Sequence, residues 1–339
     1  NLDVDTCGKS PSGKHGLVTM SDTLKGKVTN PDADVAFIVP WGDMAAGRFL
    51  TEALQQDVVL KTADRAFTLD SKTQYPAGSL IIEIAANSGD IAAKVQEIAA
   101  NSGALVDGVN TSWVTDGPSF GSNDTYVISA PKIAMAWDEP TSSLSAGNTR
   151  FVIEQQFGYP VNAIRTSTLV SADLRHYQVL ILPSGRYQDG LGKAGADNIK
   201  QWVEAGGVLI TLGSATRFAA DADIALLDVK RELAVKVEEA KDKPDRESST
   251  VAGKVYANRQ ALVKDSENVE ESPDFVAGIL ANVEVDQEHW LTAGVAPDVV
   301  AMVYGNDIYT PIRLASGKNL AWFADEKNVL ASGFLWQEN

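Results

Sequence analysis

The sequence predicts an α/β protein with doubly wound, mostly parallel sheets, in which a smaller α/β domain precedes a larger one. Three observations support this fold class. Short continuous apolar runs, such as Val35–Val39 and Val208–Leu212, have the length and composition of buried strands. Segments with one apolar helical face alternate with these runs. The connecting loops are short, and such alternation is typical of parallel sheets covered on both faces.

The first part of the chain divides into an extended segment and a small α/β domain. Residues 1–34 are rich in Gly, Ser, Asp, Asn and Lys, so we expect them to be extended. We place the small domain at 35–130. Asn87 or Ser88 is the expected N-cap of its second helix, and Asn101–Gly103 the expected C-terminal cap. The predicted strands are Val35–Val39, Val58–Leu60 and Gly78–Ile84, and the predicted helices are Gly42–Gln56 and Ile91–Ala100.

One heptapeptide, EIAANSG, occurs twice in this domain, at Glu83–Gly89 and at Glu97–Gly103. Repeat architectures need more copies at a fixed period, and no further copies occur. We therefore interpret the repetition as a coincidence.

The larger domain is placed at 131–339, after the turn-rich stretch 116–124. Its apolar runs and helical patterns alternate clearly as far as residue 212. From 228 to 274 the chain is charge-rich and poor in apolar residues, which indicates a long exposed excursion. The predicted strands are Ile133–Trp137, Val161–Ile164, Val179–Pro183, Val208–Leu212, Val299–Tyr304 and Asn319–Ala324, and the predicted helices are Ala146–Phe157, Leu169–Arg175 and Ala194–Ala205.

Composition excludes several classes of protein. The net charge of -16 disfavours nucleic-acid binding, because a phosphate backbone requires a basic face. No apolar run approaches the roughly 18 residues that a membrane-spanning helix needs. The single cysteine, Cys7, excludes an internal disulfide framework. The chain opens at Asn1 without an initiator Met, so we expect that residues upstream have been removed.

Four motifs resemble a known family. They are YPAGSLII at Tyr75–Ile82, SAGNTRFVIEQQFGYPV at Ser145–Val161, DLRHYQVLILPSG at Asp173–Gly185 and WVEAGGVLITLGSA at Trp202–Ala215. Their order and spacing over residues 77–218 resemble the C-terminal region of large bacterial zinc carboxypeptidases of the M14 family. Later pieces, at His289–Val295 and Asn328–Leu335, also fit that family. The second half is similar to class I glutamine-amidotransferase-like domains, which implies a flavodoxin-like sheet.

The resemblance implies that the zinc-binding peptidase domain lies N-terminal to this chain, in the same parent protein. The chain itself is then expected to be a non-catalytic accessory region of a secreted metallocarboxypeptidase-like protein, with that peptidase domain as its partner. A peptide or peptidoglycan-derived ligand is expected, in the periplasm or outside the cell. Zinc is implied for the parent only, and no cofactor is expected in this chain.

The family's zinc motif, His-x-x-Glu with a distant His, is absent. The only histidines are His15, His176 and His289, and the residues three positions later are Val18, Val179 and Thr292. None of these supplies the carboxylate that the motif requires. Glu284, Asp286 and Glu288 alternate along one stretch, which we interpret as a solvated strand face. No metal site is therefore predicted.

One residue is a candidate nucleophile. Amidotransferase-like domains place a Cys in Gly-x-Cys-x-Gly on a sharp strand-to-helix turn. The matching stretch is Leu212–Thr216, in which Ser214 replaces the Cys and the second Gly is missing. His289 is the only downstream histidine that could serve as a base. A loop serine that caps the following helix is the plainer interpretation of Ser214.

Four more residues are ligand-binding candidates, because they follow strands at the edge where doubly wound sheets bind ligands. Asp138 and Glu139 follow the strand Ile133–Trp137, and Ser184 and Gly185 follow the next strand but one. Amidotransferase-like domains often form an oxyanion pocket at the latter position. Two other functions stay open: an independent serine hydrolase or amidotransferase-like enzyme that uses Ser214, and a stand-alone sugar- or peptide-binding protein.

Overall fold

The computed structural model describes residues 26–232, 257–261, 276–305, 307–325 and 327–335. Within these residues the protein is a mixed α/β structure whose strands form five sheets. Among them, no helix is both long enough and apolar enough to cross a membrane.

Residues 27–127 form a six-stranded sheet, a three-stranded sheet and two helices. The larger sheet has the order β1-β7-β2-β6-β3-β9, and the smaller one has the order β5-β4-β8. The elements are β1 (Lys27–Thr29), β2 (Ala36–Val39), α1 (Met44–Gln55), β3 (Lys61–Ala63), β4 (Phe67–Leu69), β5 (Thr73–Tyr75), β6 (Leu80–Glu83), α2 (Ile91–Ser102), β7 (Leu105–Val109), β8 (Val114–Asp116) and β9 (Thr125–Val127).

The prediction of mostly parallel sheets is wrong for the six-stranded sheet. Only β1 and β7 pair in parallel, and all other neighbours are antiparallel. The helices still connect strands that run in the same direction, as the alternation suggested. However, β6 lies between β2 and β3, and β2 lies between β6 and β7. The crossover from β2 through α1 to β3 therefore passes over β6, and the crossover from β6 through α2 to β7 passes over β2. This is a split βαβ arrangement.

Both faces of this sheet are buried. Alternate residues of β2 point to opposite faces, as strand geometry requires. Phe37 and Val39 pack with residues of the two helices, including Phe49 and Val95. Ala36 and Ile38 pack with residues of the three-stranded sheet, where the rings of Phe67 and Tyr75 stack with centroids 5.2 Å apart.

The helix caps differ in part from those predicted. Asp90, and not Asn87 or Ser88, is the N-cap of α2, and its carboxylate accepts a hydrogen bond from the Ala93 amide. The Asn87 side chain instead makes two hydrogen bonds with the backbone of Val59. Its oxygen accepts from the Val59 amide at 2.8 Å, and its nitrogen donates to the Val59 carbonyl at 2.9 Å. The predicted C-terminal cap is present, because Gly103 adopts a left-handed conformation with φ 83°.

Residues 133–219 form a four-stranded, wholly parallel sheet in the order β11-β10-β12-β13. Each of its strands lies within one residue of a predicted strand. The predicted helix over Leu169–Arg175 is instead a short helix followed by a 3-10 turn at Leu174–His176. The elements are β10 (Ile133–Trp137), α3 (Ser143–Phe151), β11 (Val161–Arg165), α4 (Thr166–Leu169), β12 (Val179–Leu182), α5 (Tyr187–Gly190), α6 (Gly192–Glu204), β13 (Val208–Thr211) and α7 (Ala215–Ala219).

The remaining strands form a two-stranded and a four-stranded antiparallel sheet. In the latter, β15 is central, with β16 on one side and β18 and β19 on the other. Most of the predicted excursion at 228–274 lies outside the described residues, and so do residues 1–25 of the predicted extended segment. The strands are β14 (Arg231–Glu232), β15 (Val276–Val285), β16 (Asp298–Gly305), β17 (Ile308–Tyr309), β18 (Ala321–Phe323) and β19 (Leu330–Ser332).

Three side chains of residues 41–55 connect the early sheets to the later ones. Thr51 and Gln55, on α1, donate hydrogen bonds to the carbonyls of Phe157 and Gly158. The Trp41 indole donates to the carbonyl of Ala293 at 3.0 Å. The predicted domain boundary near residue 130 falls between β9 and β10, and it stays a prediction.

Candidate functional site

The candidate site lies at the carboxyl edge of the four-stranded parallel sheet. From β10 the chain crosses to β11 on one side, and it then returns to β12 on the other side. The strand order therefore reverses between β10 and β12, and open α/β sheets bind ligands outside the carboxyl ends of strands at such a point. Asp138 and Glu139 follow β10, and Ser184 and Gly185 follow β12.

The structure brings together the predicted residues that follow β12 and β13. The hydroxyls of Ser184 and Ser214 are 2.7 Å apart. The Gly185 amide donates to the Ser214 hydroxyl at 3.0 Å, and the Ser214 amide donates to the Ser184 hydroxyl at 3.3 Å. The Gly185 amide, at the position where amidotransferase-like domains often form an oxyanion pocket, is therefore hydrogen-bonded to the candidate nucleophile itself.

The start of α3 adds two serines that the sequence analysis missed. Ser142 is the N-cap of α3, and its amide donates to the Ser184 carbonyl at 2.7 Å. The Ser145 hydroxyl accepts a hydrogen bond from the Ser184 amide at 3.0 Å. A signal for Ser142 was present, because serine is a preferred N-cap residue. Ser142, Ser145, Ser184 and Ser214 form what we term the serine cluster.

Below this cluster lies a buried group of hydroxyls. The Tyr187 hydroxyl donates to the Pro183 carbonyl at 2.8 Å and lies 3.0 Å from the Thr141 hydroxyl, which lies 3.0 Å from that of Thr166. Burial raises the pKa of Tyr187 to about 12, against an opposing effect of the hydrogen bond with Thr141. These contacts fix the loops after β10, β11 and β12 relative to one another.

Asp138 and Glu139 lie on the β11 side of the same edge. Asp138 has a left-handed backbone with φ 69°, which is uncommon for a residue other than glycine. Its carboxylate accepts a hydrogen bond from the Glu139 amide at 3.0 Å and lies 3.7 Å from the Arg165 guanidinium. Asp138, Glu139 and Arg165 are all exposed. This end of the edge therefore presents both signs of charge to solvent.

Ser214 does not have the surroundings of an activated nucleophile in the described part of the chain. Its hydroxyl contacts only Ser184 and Gly185 among the hydrogen bonds described, and its backbone has ordinary helical angles, φ -66° and ψ -11°. Ser214 occupies the predicted N-cap position of α7, but its side chain makes no capping hydrogen bond.

The described histidines have other surroundings. His176 is exposed and precedes β12, so it lies at the opposite edge of the sheet. The Nδ1 atom of His289 accepts a hydrogen bond from the Leu291 amide, and its ring lies against that of Trp290. His15 and Cys7 lie outside the described residues. Neither of the two described histidines therefore makes a hydrogen bond to the serine cluster.

A metal centre has no ligand set within the described residues, since they hold no group of three or more His, Cys, Asp or Glu side chains suited to a metal ion. The proposed strand face of Glu284, Asp286 and Glu288 is also not formed, because β15 ends at Val285. Glu284 accepts a hydrogen bond from the Trp322 indole, and Asp286 accepts one from the Glu288 amide.

A second concave region was not predicted. It is an apolar cavity of about 1,120 Å³ between the sheet of β15, β16 and β18 and residues that follow α7. The Tyr309 hydroxyl is buried there and has no hydrogen-bond partner among the described residues. Asp307 beside it is paired with Arg217 and Arg231. The short strand that carries Tyr309 gave no sequence signal.

Comparisons with models of known protein families, with curated proteins and with solved structures found no match to this chain.

Proposed function

We propose that this chain is a non-catalytic accessory region of a secreted zinc-metallocarboxypeptidase-like protein, and that its serine cluster binds a polar group of a peptide or peptidoglycan-derived ligand. The resemblance of four sequence motifs to that family motivates the proposal. The proposal rests on the hydrogen bonds of the Ser214 side chain. Its hydroxyl is engaged by Ser184 and Gly185, and the described hydrogen bonds bring it neither a base nor an acid.

The strand order supports the finer fold assignment that belongs to this proposal. In chain order the parallel strands are arranged 2-1-3-4. This is the order of the first four strands of flavodoxin-like folds. We propose that residues 131–339 contain a flavodoxin-like domain of the class I glutamine-amidotransferase type that has lost its catalytic cysteine.

The groups at the sheet edge suit a polar ligand. Serine hydroxyls both donate and accept hydrogen bonds, and the Ser184–Ser214 pair can reorient to serve a carbonyl, a carboxylate or a sugar hydroxyl. Arg165 and Asp138, at the β11 end, offer an ion pair to a peptide that carries charge of either sign. Within the parent protein, such an edge would hold substrate near the N-terminal peptidase domain.

The first test measures turnover and binding with the same chain. We expect no release of the C-terminal residue from an alanine-terminated tetrapeptide, with or without added zinc, and a millimolar dissociation constant for that peptide by calorimetry. The double change Ser184→Ala and Ser214→Ala should abolish binding. Ser88→Ala, at an exposed position that is distant from the serine cluster in the sequence, should not. Release of alanine by this chain would refute the accessory role.

An independent serine hydrolase is the second candidate. One observation favours it: Ser214 lies between β13 and α7, at the kind of strand-to-helix turn where such enzymes place their nucleophile. If an ester such as p-nitrophenyl acetate is hydrolysed by the chain, Ser214→Ala should abolish the reaction. Activity that survives this change would remove Ser214 from consideration.

A further inference from the structure

The strand β16 forms an unusually long sheet edge. It has eight residues, whereas the edge strands of the six-stranded and parallel sheets have three to five. Its neighbour β15 lies on one side, and in the described part of the chain no strand pairs with the other side. Proteins usually keep such edges short, because an unpaired edge is a template for another strand.

The register shows which backbone groups of β16 face outward. The Val285 amide donates to the Pro297 carbonyl at 2.8 Å, and the two strands pair without interruption from Glu284↔Asp298 to Ile279↔Val303. Hydrogen-bonded positions alternate along an antiparallel pair, so the odd-numbered residues of β16 bond to β15. The amides and carbonyls of Val300 and Met302 therefore point away from the sheet.

These outward groups are accessible. Among the described residues, no backbone hydrogen bond reaches Val300 or Met302 from the outer side. The two side chains are 57% and 79% exposed. Within the described residues, four backbone groups thus stand unpaired in a row, two donors and two acceptors.

The chemistry of this edge favours a neutral, extended partner. From Val299 to Gly305 the strand has no charged residue and no proline, the two features that most often protect an edge. A basic peptide would find no carboxylate along these seven residues. An apolar strand with matching spacing of its own donors and acceptors is the better fit.

We propose that β16 pairs with the β16 strand of a second copy of this chain, antiparallel, about a two-fold axis at Ala301. Val300 then exchanges two hydrogen bonds with the partner's Met302, and symmetry supplies two more from Met302 to the partner's Val300. All four outward groups of each copy are satisfied, and the two sheets merge into one of eight strands.

The side chains are compatible with this symmetry. Ala301 faces the partner's Ala301, where a small residue allows close approach in a non-hydrogen-bonded pair. Val299 faces the partner's Val303, so the central cross-strand pairs are apolar. The net charge of -16 on each copy opposes their approach, and added salt screens this repulsion. Association should therefore tighten as salt rises.

Sedimentation velocity from 1 to 100 µM chain, at 50 and 500 mM NaCl, tests the proposal. We expect a monomer–dimer equilibrium that shifts toward dimer in 500 mM NaCl. A chain that stays monomeric at 100 µM in 500 mM NaCl overturns the proposal, and so does a dimer that weakens with salt.

Two variants locate the interface. Met302→Lys places a charge on the edge, and Val300→Pro removes an outward amide without removing a bond to β15. Each should raise the dissociation constant at least tenfold while the thermal midpoint of the monomer, measured at 1 µM in 50 mM NaCl, stays close to that of the unchanged chain. Leu314→Lys, at a 91% exposed position outside the sheet, is the matched control and should leave the dimer intact. A dimer that persists in both edge variants places the interface elsewhere.

Discussion

The hydroxyl of Ser184 lies 2.7 Å from that of Ser214, although thirty residues separate them in the chain. The two serines follow neighbouring parallel strands, so the pairing of β12 with β13 sets their distance. The Gly185 amide completes the group by donating to Ser214. Ser214 thus connects the loops after both strands, and this bonding has a measurable effect on stability.

Ser214→Ala should destabilise the chain by about 1–2 kcal/mol, because it leaves the partly buried Gly185 amide without an acceptor and removes the hydroxyl that is bonded to Ser184. Urea unfolding followed by circular dichroism measures this loss. Ser171→Ala, on an exposed turn, is the control and should change stability by less than about 0.5 kcal/mol. Equal stability of the two variants would contradict the hydrogen bonding described.

The two copies of EIAANSG provide a matched pair of asparagines. Asn87, in the first copy, bonds the backbone of Val59 and Glu83. Asn101, in the second copy, is exposed, and among the described hydrogen bonds its side chain donates only to the Glu52 carboxylate. We expect Asn87→Ala to cost about 1–2 kcal/mol and Asn101→Ala to cost less than about 0.5 kcal/mol. Chemical denaturation of both variants would show this difference, and equal costs would argue against it.

The start of α2 gives a third prediction. Because Asp90 caps this helix through the Ala93 amide, Asp90→Ala should cost about 1 kcal/mol of stability. Ser88→Ala, two positions earlier, should be nearly neutral. Comparing the denaturation midpoints of the two variants decides which residue is the cap. A larger loss for Ser88→Ala would restore the cap predicted from the sequence.

Tyr187 should contribute to alkaline unfolding. Burial raises its pKa to about 12, so the folded chain keeps the phenol proton above pH 10, where an unfolded chain loses it. The folded state then binds more protons, and stability falls as pH rises from about 10, by at most about 1.4 kcal/mol per pH unit. Below that pH this contribution is fully present.

The variant Tyr187→Phe isolates this effect from the other tyrosines. It loses hydrogen bonds to Pro183 and Thr141, so it should be less stable at pH 7. Between pH 10 and 11 its free energy of unfolding should fall less steeply than that of the unchanged chain. Parallel slopes in urea titrations at these pH values would show that Tyr187 does not titrate differently in the folded state.

The parts of the fold that depend on local sequence pattern could be predicted. Continuous apolar runs located β2, β10, β12 and β13 within a residue or two, since buried strands have little else in their sequence. The pairing in the six-stranded sheet could not be predicted in this way. A strand–helix–strand pattern fixes the direction of its two strands, but it does not reveal that β6 inserts between β2 and β3. The repeated heptapeptide shows the same limit, because one copy includes a 3-10 turn and the other ends α2.

The candidate site was predictable in its outline only. The residues after β12 and β13 were expected at one edge, because the carboxyl ends of parallel strands meet there. The hydrogen bond of the Gly185 amide to Ser214 depends on the exact course of two loops. The buried group of Thr141, Thr166 and Tyr187 depends on three separate segments that meet in space. Such contacts have no spacing signature in one sequence.

The contact of Thr51 and Gln55 with Phe157 and Gly158 also bears on the order in which the chain acquires structure. A helix end leaves carbonyls without partners, and here two carbonyls just beyond the helical turn Val152–Gln156, which follows α3, receive theirs from α1. During synthesis α1 emerges about a hundred residues before that turn, so its donors are already in place when the turn leaves the ribosome. We therefore expect α1 to be formed before the later parallel sheet is complete.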